Sequence, residues 1–176
     1  TGVSDARRGE DGTVLFNAVT NWPIDTVAPS REDVVYIEVW APYTHFNDLY
    51  LLCAQAQMLG KGKPVVIAAY IDPANEVNAR LMDAIIFASG AGRIELGEQH
   101  GYLADPYFPK YGIPSADLAA RLKAYYEFAL RYQNILGPQT ASGGAKWAGK
   151  VTLPGYETSG SISTNKVMPV VRESEG

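Results

Sequence analysis

The sequence predicts a parallel α/β fold. Three observations carry this: short apolar runs rich in β-branched and aromatic residues, segments of helical period between them, and the order strand, strand, helix, strand, helix, strand, helix. Apolar strands without polar alternation are covered on both faces, as in parallel sheets and barrels with helical crossovers. A chain of 176 residues with 47% apolar composition can bury one core and a small appendage.

Val14 to Val19 and Val34 to Trp40 read as the first two strands, each followed by a proline within a few positions (Pro23, Pro42). The fourteen residues between them hold two prolines and offer little helix. Phe46 to Leu59 then carries apolar residues at Phe46, Leu49, Leu52, Cys53, Ala56 and Leu59, with Thr44 as a cap and Gly60 as the stop. Pro64 to Ile71 is a third apolar strand. Asn75 to Ala88 returns to helical spacing through Val77, Leu81, Ala84, Ile85 and Ala88, stopped near Gly90. Arg93 to Leu96 is a short fourth strand, followed by a turn-rich loop with Pro106, Pro109 and Pro114. Ser115 caps a long helix with apolar positions Leu118, Leu122, Tyr125, Ala129, Tyr132 and Leu136, ended by Gly137 and Pro138. The last 40 residues contain seven Gly, five Ser and four Thr, with β-like pieces only at Lys150 to Leu153 and Val167 to Val171. They read as a linker entering an incomplete β appendage, so the division falls at residues 1–136 and 137–176.

Several function classes are excluded. No apolar run approaches the roughly 18 residues of a membrane span. No apolar segment follows Thr1 that would make a signal peptide in these residues. The net charge of −4 comes with scattered Lys and Arg, which argues against a nucleic-acid surface. Cys53, in an apolar helical stretch, reads as a buried structural thiol. No metal or cofactor is expected: His45 and His100 are far apart, and no zinc spacing, dinucleotide fingerprint, phosphate loop or nucleophile elbow is present.

Glu38 is the most informative residue. It sits inside the apolar run VVYIEVW, near the C-terminal end, where parallel folds aim polar side chains into a ligand crevice. A carboxylate satisfied by an arginine or by backbone donors is the structural alternative. The other strand ends follow suit: Asn17, Trp40, Tyr70, Asp72, Glu95 and Glu98 converge on one rim. Carboxylates, an amide and flat rings are the composition of a carbohydrate cleft. Singly, each has a plainer reading: Asn17 and Asp72 as turn or cap residues, Trp22 and Trp40 as packing, and Tyr102, Tyr107, Phe108 and Tyr111 as a seal under a loop.

The stretches VLFNAVTNWP, VYIEVWAPYTHFNDL, KPVVIAAYI, DAIIFASGAGRIELGEQHGYLADPYFPKY and LKAYYEFALRYQNIL together resemble glycoside hydrolase family 66, from about Val14 to Leu136. That family contains endo-dextranases and cycloisomaltooligosaccharide glucanotransferases. The resemblance implies a (β/α)8 barrel followed by a β-sandwich, with FNAV, IEVW, AAYI and RIELGE as strands five to eight. It further implies retaining cleavage of α-1,6-glucan, with Glu38 as the acid/base and an Asp nucleophile on the fourth strand. Only thirteen residues precede Val14, and none of Asp5, Glu10 and Asp11 lies in a strand. The expectation is a half-barrel with one catalytic carboxylate, inactive alone. The cyclising enzymes carry an insertion after the seventh strand, whereas only Asp72 to Ala74 separates AAYI from the next helix, which favours endo-dextranase ancestry. An extracellular location follows from the same resemblance.

Two other classes compete: a complete small α/β binding module of flavodoxin-like type, and a non-catalytic carbohydrate-binding remnant. A half-barrel is also expected to leave Val35 and Ile67 partly covered, which invites self-association or pairing with the other half.

Overall fold

The computed structural model describes residues 12–94, 101–105, 111–136, 146–147 and 170–171. Four parallel strands, β1 (Leu15–Val19), β2 (Val34–Glu38), β3 (Val65–Ala68) and β4 (Gly92–Ile94), lie side by side in chain order. Their register aligns Ala18 with Ile37, Ile67 and Arg93, and Val19 with Glu38, Ala68 and Ile94. Paired residues on parallel strands project to the same side, so the register sorts the sheet into two faces.

One face carries Ala18, Val35, Ile37, Val65 and Ile67, and it is buried under helices. Leu49, Leu52, Cys53 and Ala56 of α2 (Phe46–Gly60) and Met82, Ile85 and Ile86 of α3 (Glu76–Ala88) pack against it. The expectation that Val35 and Ile67 would be only partly covered is therefore wrong: both are at 0% exposure. Alternation sends them toward the helices. The opposite face is the open one, where Leu15, Val19 and Ile94 are 52%, 45% and 43% exposed. Sequential strand order with helices packed on one face is compatible with a segment of a βα-barrel. A doubly wound sheet reverses its order and covers both faces.

Local chemistry explains where elements start and stop. The connection between β1 and β2 forms a short helix, α1 (Ile24–Val27), which the two prolines concealed. Lys63 ties it down, donating from Nζ to the carbonyls of Ala28 (2.7 Å) and Ser30 (2.6 Å). At the start of α2 the cap is His45, not Thr44: the His45 N–H donates to Asp48 Oδ2 at 2.8 Å, while the Thr44 hydroxyl meets the His45 ring. Gly60 is the last helical residue, and a Cβ there would stand 3.0 Å from Val35 Cγ2. Its smallness serves close helix-to-sheet packing, while Lys61, in the left-handed region, makes the turn.

In α3 the buried face is Ala79, Met82, Asp83, Ile85 and Ile86. Of the apolar positions expected to define it, only Ile85 is buried, and Val77 is 74% exposed. The buried Asp83 explains the rotation, because its carboxylate turns inward to meet a partner on β4. Ser115 caps α4 (Ala116–Arg131) as expected, accepting from Leu118 N–H at 3.0 Å. The long helix divides at Tyr132, which leaves α5 (Gln133–Leu136) as a separate turn.

The turn-rich loop also forms an antiparallel pair, β5 (Tyr102–Leu103) with β6 (Tyr111–Gly112). It docks on the exit of β3. Ile71 N–H donates to Leu103 O at 3.3 Å, and Gly112 lies so close to Pro73 that no Cβ fits. Beyond it, β7 (Lys146–Trp147) pairs antiparallel with β8 (Val170–Val171), within the segment expected to be β-rich. Lys150 to Leu153 lies outside the described residues. Among the described residues no helix is long and apolar enough to cross a membrane. Cys53 is fully buried in α2.

Candidate active site

Glu38 ends β2 on the open face, next to Val19 and Ala68 in the register and two residues from Tyr36 on the same side. Its two oxygens are engaged separately. Asn17, on β1, donates from Nδ2 to Oε2 at 2.9 Å, and the Tyr70 phenol, just past β3, donates to Oε1 at 2.8 Å. Trp40 stands edge-on to Tyr70, with ring centroids 6.4 Å apart at 63°. Four of the rim residues named from sequence, Asn17, Glu38, Trp40 and Tyr70, therefore form one cluster across three strand ends.

Burial works to raise the Glu38 pKa, but hydrogen bonds from Asn17, Tyr70 and Trp40 outweigh it and hold the carboxyl below its ordinary value. Glu38 stands ionised. The same contact acts oppositely on the phenol: burial first, then the bond to Glu38 and its charge, push Tyr70 well above the usual tyrosine range. Burial and the Glu38 charge also raise Tyr36, a member of the cluster that the sequence reading missed. A tyrosine two positions before a strand-end carboxylate shares its face, and that period-2 signal was available.

The sign of the Glu38 shift sets a pH dependence. A group whose folded pKa lies below its unfolded value stabilises the fold above the unfolded pKa, about 4.3 for Glu, and loses that contribution as pH falls through the folded value. Thermal melting between about pH 6 and 2.5 should show an acid limb that Glu38→Gln flattens. An unchanged limb in the variant would show that the contacts to Asn17 and Tyr70 do not favour the carboxylate.

Asp72 does not join this cluster. It is exposed, and its Oδ1 accepts from Ala74 N–H at 2.9 Å, which makes it the turn residue that leads into α3. Glu95 and Glu98 lie outside the described residues, as do Tyr107 and Phe108. Among the described residues no three His, Cys, Asp or Glu side chains converge as a metal site would require.

An ionised carboxylate held by an amide and a phenol beside an indole, at the C-terminal ends of parallel strands, is compatible with a carbohydrate-active α/β protein. The chain belongs to glycosyl hydrolase family 66, whose model matches residues 6–175. It is similar to two cycloisomaltooligosaccharide glucanotransferases of Niallia circulans. One is 33% identical over 94 residues, 53% of this chain and 10% of the relative; the other is 40% identical over 63 residues, 35% of this chain and 6% of the relative. The matched regions thus span a tenth or less of those relatives' length.

Proposed function

We propose that this chain carries the acid/base half of a retaining α-1,6-glucan-cleaving site, with Glu38 protonating the leaving glycosidic oxygen and then activating water or an acceptor sugar. The observation that carries this reading is the seat of Glu38: at a strand end, on the open face, with one oxygen held by Asn17 on β1 and the other by Tyr70 just past β3. On this reading β1 to β4 are strands five to eight of an eight-stranded barrel. The open face of Leu15, Val19 and Ile94 would close against the remaining strands, and residues from 137 onward lead into a β-rich unit.

Retaining cleavage needs a second carboxyl group about 5 to 5.5 Å away, which would also raise the Glu38 pKa toward that of a working acid. Among the described residues no acidic neighbour contributes to the shift at Glu38, which the amide and phenol hold down. On this reading the chain alone binds glucan without turning it over. Asn17, Trp40 and Tyr70 line the sugar path. A polymeric glucan places the enzyme outside the cell.

Isothermal titration of the purified chain with isomaltooligosaccharides, alongside product analysis on dextran, tests this. Binding at millimolar sugar without product release is the expected result. No binding would overturn the glucan reading, and released isomaltooligosaccharides that vanish with Glu38→Gln would overturn the inactivity.

Hydrolysis is the preferred outcome of the assembled site, because only residues 69–75 separate β3 from α3, with no inserted module. The names of the similar proteins favour a second reading, transglycosylation with ring closure. Cyclic rather than linear products from an assembled barrel would decide for it.

A further inference from the structure

The Arg93 guanidinium, on β4, is wholly buried and holds three elements at once. Its Nη1 donates to Asp83 Oδ1 of α3 at 2.5 Å and to the Tyr102 hydroxyl of β5, while Nη2 (2.9 Å) and Nε (3.3 Å) both donate to the Ala69 carbonyl. The guanidinium also lies over the Tyr102 ring, 4.8 Å from its centroid. Ala69 immediately precedes Tyr70, whose phenol holds Glu38. On the other side, Ile71 is pinned by Leu103 of the same β5 strand. The backbone that carries Tyr70 is thus fixed on both flanks, by Arg93 before it and by the Tyr102–Leu103 strand after it.

We infer that Arg93 is a positioning residue: its fork on the Ala69 carbonyl, braced by Asp83 and Tyr102, sets the backbone at Tyr70 and so the phenol that holds Glu38. A fully buried ion pair is a costly way to hold a core together, since apolar residues of similar volume often do as well. The fork supplies what apolar packing lacks, two parallel donors on one carbonyl with fixed direction. Lysine in its place keeps the charge opposite Asp83 but not that planar geometry. The functional weight of this inference rests on the acid/base reading of Glu38, but its test reads Glu38 directly.

The test is a carboxyl NMR titration of Glu38 in the full chain, in four forms: unaltered, Arg93→Lys, Tyr70→Phe and the double variant. Each single variant should raise the Glu38 midpoint toward the ordinary value of about 4.3. The double variant should rise no further than Tyr70→Phe alone, because both act through one contact. An unmoved midpoint in Arg93→Lys, or a double variant that shows the sum of the two shifts, overturns the inference. Ile86→Ala, which opens the core without removing a hydrogen bond to the Ala69 carbonyl, should lower the melting temperature and leave the midpoint in place; an equal shift there would reduce the effect to general loosening. Should Arg93→Lys fail to fold, Tyr102→Phe releases one brace and should shift Glu38 the same way by less, with an unmoved midpoint again overturning the inference. Failure to bind glucan would sink the functional reading and leave this titration standing.

Discussion

Glu38→Gln, in a protein that completes the barrel around this sheet, should lower kcat on dextran by about 10² to 10⁴ while KM changes little, the range expected for loss of a positioned acid/base. Glutamine is nearly isosteric with glutamate, so it leaves Asn17 and Tyr70 in place, but it has no proton to give. The loss should shrink when the leaving group is an activated phenol, since departure then needs little protonation and only the later activation of water suffers. Steady-state kinetics on dextran and on an aryl isomaltoside separate the two steps. A variant with unchanged kcat on both substrates would remove Glu38 from the chemistry and return it to a structural role. Tyr70→Phe should cost less, because it loosens the carboxylate and leaves the proton carrier itself intact.

The parts of this molecule that were legible in sequence are those whose cause is local. The four apolar strands declare themselves by composition, Ser115 caps because its hydroxyl reaches an N–H three residues on, and Glu38 stands out because a carboxylate in an apolar strand demands a reason. What was not legible depends on partners far apart in the chain. Asp83 belongs on the buried face of α3 only because Arg93 lies ten positions away on another element, and nothing in the helical period shows this. The β5–β6 pair was hidden because two-residue strands carry no periodicity, and their pairing follows from docking against Pro73 and Ile71. Asp72 looked like a rim carboxylate by position, yet the turn it closes onto Ala74 explains it. Val35 and Ile67, expected to be only partly covered, lie on the face that the helices bury, because alternation alone does not say which face of the sheet the helices cover.

The stability of the buried pair and its service to the site can be separated experimentally. Asp83→Ala should cost about 3 to 5 kcal/mol, because it leaves a guanidinium that cannot discharge inside the core. The Arg93 side chain is at 0% exposure; burial works against its ionisation, and the charge of the equally buried Asp83, the contact with Tyr102 and the hydrogen bonds to both outweigh it together. The double replacement Arg93→Met with Asp83→Leu removes both charges and should recover most of that loss, since a well-packed apolar pair often matches a buried ion pair. Recovery should stop short of the unaltered chain, because the Ala69 carbonyl loses its two guanidinium donors and a buried acceptor so stranded costs about 1 to 3 kcal/mol. Chemical denaturation of the three proteins measures this directly. A double variant no more stable than Asp83→Ala would show that the apolar pair cannot replace the charges. If the double variant is restored in stability while its Glu38 titrates near the ordinary value, Arg93 is retained for the direction it gives the chain at Tyr70 and not for the strength it gives the fold.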